Sequence, residues 1–249
     1  MSFVLPPCSK LNDYSYKEIE SILNNLFEPC ESLTSFLIPL LYPLPNSATT
    51  SASTSSSTNA SSTSFSSPSA PFKSSSKTYH DYKNLIENCR FHLTQLINDL
   101  NKSKDLNDGG LSYNSLNNLL NEIISAHPRL GPPKPQPQAS QTQQTQQTTT
   151  THKSPVPEDL SDHSKNEQKS LNSGNPELAQ RLIELNAKYE ETFPGLRFVV
   201  FVNGQSREKI IEKMINRINR NNINLERFEA IDAMCDIALD RAKKLGAKL

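Results

Sequence analysis

The chain has 249 residues, with 26 Lys and Arg balanced by 26 Asp and Glu. That balance gives no overall pull toward nucleic acid or an anionic membrane, and no apolar run approaches the roughly 20 residues of a membrane-spanning helix. Cys8, Cys30, Cys89 and Cys235 are scattered without a CxxC pair, which argues against a zinc site or a disulfide framework and reads as reduced, mostly buried thiols.

The start, Met1 to Pro7, lacks the basic region and long apolar core of a secretory leader, so none is expected. Tyr16 to Phe27 carries Ile19, Ile22, Leu23 and Leu26 on one helical face, with Asp13 or Ser15 as its cap. Leu33 to Leu41 is a shorter apolar segment disturbed by Pro39. Residues 47–77 are dominated by Ser and Thr and cannot offset the entropy of ordering, so they read as a disordered insertion. Tyr79 to Leu100 has the clearest stripe: Tyr82, Leu85, Ile86, Cys89, Leu93, Leu96, Ile97 and Leu100. Tyr113 to Ser125 follows and stops before His127-Pro128, because a residue preceding proline is pushed away from helical dihedrals.

A second tract, 132–157, is rich in Pro, Gln and Thr and reads as another disordered insertion. Asn175-Pro176 then caps and opens a helix through Leu178, Leu182, Leu185 and Tyr189, ended by Phe193-Pro194-Gly195. Leu196 to Val202 is the single β-like run, and one isolated extended segment cannot build a sheet. Ser206 caps a helix bearing Ile210, Ile211, Met214, Ile215 and Ile218. The last helix runs from about Asn224 to Leu245, with Leu225, Phe228, Ile231, Cys235, Ala238, Leu239 and Ala242 inward. The expected fold is all-α: one compact multi-helix domain over 1–249, with a short extended segment and two loop insertions.

Two polar motifs carry chemistry. His127, just past a helix and fixed by Pro128, can hold an imidazole at a cleft rim, or serve as a helix-end cation. His152 and His163 fall in or beside the second tract, while His80 and His92 flank or face outward from a helix. Ser164-x-x-Glu167 has capping-box spacing, yet Gln168 beside it is not needed for a cap and suits ligand recognition. Arg197 and Arg241 are candidate carboxylate clamps, against the plainer reading of solvated charges. An imidazole and a carboxylate that meet across the looped-out tract are the minimum kit for proton transfer.

In order, Leu26-Phe27-Glu28, Ala126-His127-Pro128-Arg129-Leu130-Gly131, Ser164-x-x-Glu167-Gln168, Leu185-Asn186-x-x-Tyr189 with Phe193-Pro194, the run Phe198 to Val202, and Arg241 form a linked set. This set resembles the 2-oxo-4-hydroxy-4-carboxy-5-ureidoimidazoline (OHCU) decarboxylase family of urate breakdown, in a fungal-type form with low-complexity insertions. The resemblance covers nearly all of the chain outside the tracts. It implies an α-helical, cofactor-free enzyme that releases CO2 and forms (S)-allantoin. It also implies His127, Glu167 and Arg241 as catalytic residues, and Pro128, Ser164, Gln168, Phe198, Val199, Val200, Phe201 and Val202 as substrate-binding ones, with no metal. The partner is then a small ureidoimidazoline, with no nucleic acid or membrane, and a homodimer is a further expectation. Ala247-Lys248-Leu249 differs from the Ser-Lys-Leu peroxisomal address by one small residue, so import into the peroxisome through its receptor is expected, with the cytoplasm as the other compartment. The competing reading is a catalytically inactive helical interaction module with the same fold, and a metal-dependent hydrolase stands well behind both.

Overall fold

The computed structural model describes residues 3–43, 77–104, 111–131 and 176–249. The Ser/Thr insertion, but for Lys77, and the whole Pro/Gln/Thr insertion lie outside the described residues, as do Ser164, Glu167 and Gln168. Among the described residues there are seven α-helices and one 3-10 helix, and no strand.

A 3-10 helix at Cys8–Asp13, which the periodicity did not signal, precedes α1, Tyr16–Leu26. The Glu18 carboxylate accepts the Ser15 amide at 2.7 Å, so Ser15 rather than Asp13 is the cap. Helix α2, Glu31–Leu41, runs through Pro39, which is exposed, so the missing amide bond falls on the solvent side. Helix α3, Tyr82–Ser103, begins three residues later than the stripe suggested because Asp81 takes the capping position, accepting the Asn84 amide at 2.7 Å. Tyr79 instead reaches back, its hydroxyl donating to the Leu41 carbonyl at 3.1 Å.

Helix α4 is Leu111–Ser125 and stops before the proline as expected. Helix α5 is Pro176–Thr192, with Pro176 in the first helical position. Residues 196–202 are extended and their first half is buried: Leu196, Phe198, Val199 and Val200 all belong to the core. Helix α6, Arg207–Arg220, is capped by Ser206 and ends at Asn221 in the left-handed region (φ 47°). Asn222 at once caps α7, Ile223–Lys244. This two-residue turn joins α6 directly to α7.

Helix α7 is the centre of the molecule. It packs along α3 and against α1, while α5 packs on α6. Arg90 of α3 spans two turns of α7, donating to Asp232 and Asp236 at 2.8 Å each. The inward face of α7 differs from the apolar pattern at its start: Leu225 is 40% exposed, whereas Glu226 and Arg227 are buried. The reason is polar pairing. Glu226 accepts the Tyr189 hydroxyl and pairs with Arg217, whose guanidinium lies 4.7 Å over the Phe198 ring. Arg227 donates to Asn117 of α4 at 2.5 Å.

Candidate active site

Three chain segments bring polar groups to one buried point. The first is the end of α1. Phe27 closes the helix, its amide donating to the Leu23 carbonyl at 2.8 Å, and Pro29 forbids a further turn. Glu28 lies between them and is turned inward, 5% exposed. The second is the end of α4, where the His127 amide bonds the Ile124 carbonyl at 3.3 Å and the imidazole is 3% exposed. The third is Arg241, on the inner face of the last turn of α7 and 1% exposed.

The groups meet at one oxygen. Arg241 Nη2 lies 2.7 Å from Glu28 Oε1, and His127 Nδ1 lies 3.7 Å from the same atom. Arg241 Nη1 also donates to the Phe27 carbonyl, so the guanidinium grips both the carboxylate and the backbone beside it. On the other side of the ring, His127 Nε2 is buried and has no partner among the described residues. A buried imidazole nitrogen left open is the acceptor or donor a bound molecule would use. The ring itself bonds none of the final carbonyls of α4, so the helix-end-cation reading does not describe it.

The segment around the histidine is clamped from α5 and the extended run. Arg197 Nη1 donates to the His127 carbonyl at 2.8 Å. Arg129 forms a two-pronged pair with Glu190 at 2.5 and 2.6 Å, and Asn186 Nδ2 holds the Leu130 carbonyl at 2.9 Å. Arg197 is half-buried, and desolvation together with the neighbouring Arg129 lowers its pKa. Its role here is to lock the histidine backbone. Pro128, half-buried, follows directly.

The extended run is partly spoken for. Val199, Phe201 and Val202 carbonyls accept from Arg217 (3.0 Å), the Gln205 side chain (2.9 Å) and the Gln205 amide (2.8 Å). The absence of a sheet therefore does not leave every backbone group open. The Phe198 and Val200 carbonyls, and the amides of residues 198–202, have no partner among the described residues. A groove of about 530 Å³ lies on another side of this run, between α6 and α7, lined by Val200, Phe201, Arg217 and Glu229 among others. Neither His127 nor Arg241 lines it.

Among the described residues, no three His, Cys, Asp or Glu side chains group as a metal site would need, and no helix is long and apolar enough to cross a membrane. Of the sequence-predicted catalytic residues, His127 and Arg241 come together, and Glu167 lies outside the described residues with Ser164 and Gln168. Glu28 was recognised as part of the motif order but given no role. Its one sequence signal is a carboxylate wedged between Phe27 and Pro29, two residues that are poor company for a solvated charge.

The family model described as OHCU decarboxylase matches residues 12–243. The chain belongs to the OHCU decarboxylase family. No curated protein matches the chain. Membership makes this OHCU decarboxylase relative a lyase that removes CO2 in urate degradation. The match runs from before α1 to the penultimate residue of α7, so it takes in Glu28, His127 and Arg241 together.

Proposed function

We propose that the protein converts 2-oxo-4-hydroxy-4-carboxy-5-ureidoimidazoline to (S)-allantoin and CO2 by acid–base catalysis without a cofactor. The observation that carries this reading is the open, buried Nε2 of His127 beside an Arg241–Glu28 pair. When the C–C bond to the carboxylate breaks, CO2 departs and the bonding electrons form a C=C bond to the ureido-bearing carbon, pushing its C=N pair onto the ring nitrogen and leaving an enol. Arg241 supplies fixed positive charge close to where that negative charge develops. His127 then delivers a proton from Nε2 to the ureido-bearing carbon on one face while the hydroxyl proton passes to the ring nitrogen and that oxygen becomes the carbonyl, and the one-sided delivery gives the product its handedness.

Glu167 in this scheme holds the ring N–H or hydroxyl, while Pro128, Ser164 and Gln168 line the substrate. The free amides of residues 198–202 and the carbonyls of Phe198 and Val200 suit a ligand rich in N–H and C=O groups. The test uses freshly generated substrate, made from urate by urate oxidase and hydroxyisourate hydrolase. Adding the protein should speed loss of the intermediate and yield a circular dichroism signal of one sign. Racemic allantoin formed at the uncatalysed rate would overturn the proposal.

A further inference from the structure

Outside the groups just assigned, the site holds one more: the Glu28 carboxylate, buried, within ion-pair reach of both His127 and Arg241. We propose that Glu28 is the positioning residue of this site, a single carboxylate that fixes the His127 ring and the Arg241 guanidinium relative to each other. The kinetic part of this inference rests on the decarboxylase reading; the spectroscopic part does not.

The geometry argues as follows. His127 offers Nδ1 toward Glu28, while its buried Nε2 has no partner among the described residues. A carboxylate on the Nδ1 side favours the proton there, which leaves Nε2 as the atom that exchanges a proton with substrate. At 3.7 Å the contact is longer than a hydrogen bond, as catalytic contacts often are before substrate closes them. Glu28 Oε1 is meanwhile held by Arg241 at 2.7 Å, so the carboxylate cannot swing away from the ring without losing its strongest partner. The backbone gives the same residue little freedom, since Phe27 ends α1 and its carbonyl is itself gripped by Arg241.

The charged groups facing His127 come from several segments. Glu28 comes from the α1–α2 connection and Arg241 from α7. Arg197 of the extended run binds the histidine carbonyl, and Arg129 next along is neutralised by Glu190 of α5. Glu122, on the histidine's own helix, is bonded by Ser32 of α2 at 2.5 Å. Among the described residues, Glu28 is the one carboxylate within ion-pair distance of the ring. It is therefore the group that sets which ring nitrogen carries the proton.

The experiment reads the tautomer of the His127 ring by 15N NMR in histidine-labelled protein, with His127→Asn to assign the signal among the five histidines. Three proteins are compared: wild type, Glu28→Asp, which retracts the charge by one methylene, and Glu28→Gln, which removes it. The neutral ring should carry its proton on Nδ1 in wild type, keep part of that preference in Glu28→Asp and lose it in Glu28→Gln. Glu28→Gln should lower kcat about tenfold or more while KM changes far less, because the residue acts on the proton donor and not on binding. The same tautomer and the same kcat in all three folded proteins would overturn the proposal and leave Glu28 as a packing partner of Arg241. Should Glu28→Gln not fold, the comparison of wild type with Glu28→Asp alone decides by the same criterion. A wild type that fails to decarboxylate the substrate would sink the functional reading, while the ring spectrum would still judge Glu28.

Discussion

A buried charge is tolerated only with a partner, and this molecule holds several such pairs. Glu226 is fully buried and is held by Tyr189, Arg217 and Arg220. Arg217 in turn fixes the Val199 carbonyl and covers Phe198, so the network braces the extended run from behind. Arg217→Met removes one arm and leaves Glu226 under-compensated; the expected loss is about 3 kcal/mol in urea unfolding. A change below about 0.5 kcal/mol, the scale of an exposed ion pair, would contradict this account of the network. The thiols give a second residue-scale expectation. Burial pushes Cys8 and Cys235 up to about 12 and raises Cys89 as well, and the thiolate is the reactive form. At pH 8 iodoacetamide should leave these three unlabelled in the native protein and label all four cysteines in urea, as read by mass spectrometry. His127 was legible in the sequence because Pro128 singles it out. Glu28, Glu226 and Arg227 were not, because helical periodicity counts apolar positions and is silent on a charge whose partner comes from a distant segment.

At the scale of elements, most helices were legible because their stripes and stops are local. Pro128, Pro176 and Gly195 punctuate the chain where the structure changes direction. What local reading misplaced were starts, as at Tyr79, where the capping Asp81 overrode the apolar stripe. Gly195 is the turn that sends the chain from α5 into the extended run. Its φ is +87°, and an added Cβ would lie 2.4 Å from Asn121 Nδ2. Gly195→Ala therefore combines backbone strain with a clash, and should cost about 2 kcal/mol. Pairing it with Asn121→Ala removes the clash and should return part of that loss in thermal unfolding, leaving the strain. Two strictly additive losses would mean the clash had no part in it.

For the whole molecule, the ends of each insertion matter more than the insertions. Before and after residues 44–76, the Asn12 side chain bonds the Lys77 carbonyl at 3.1 Å, Tyr79 bonds the Leu41 carbonyl, and the Tyr42 and Tyr79 rings meet at 5.8 Å. The chain leaves and re-enters at one place. Loop-closure entropy changes slowly with length, so replacing residues 47–74 by a short Gly/Ser linker should leave Tm within about 2 °C. A fall of ten degrees would show that the tract contributes to the fold. Where the second insertion begins, Asn186 of α5 holds the Leu130 carbonyl, and a Cβ on Gly131 would lie 3.3 Å from Leu182 Cβ. Glu167 follows this tract in the sequence, which is why composition alone separated the two motifs while their order united them.

The most direct measurement compares wild type with His127→Ala on freshly made ureidoimidazoline, following both the rate and the handedness of the allantoin formed. The account predicts that the variant stays folded, that the rate falls at least a hundredfold toward the uncatalysed one, about the contribution of one positioned acid, and that the product becomes racemic. An unchanged rate with undiminished (S) excess would contradict it.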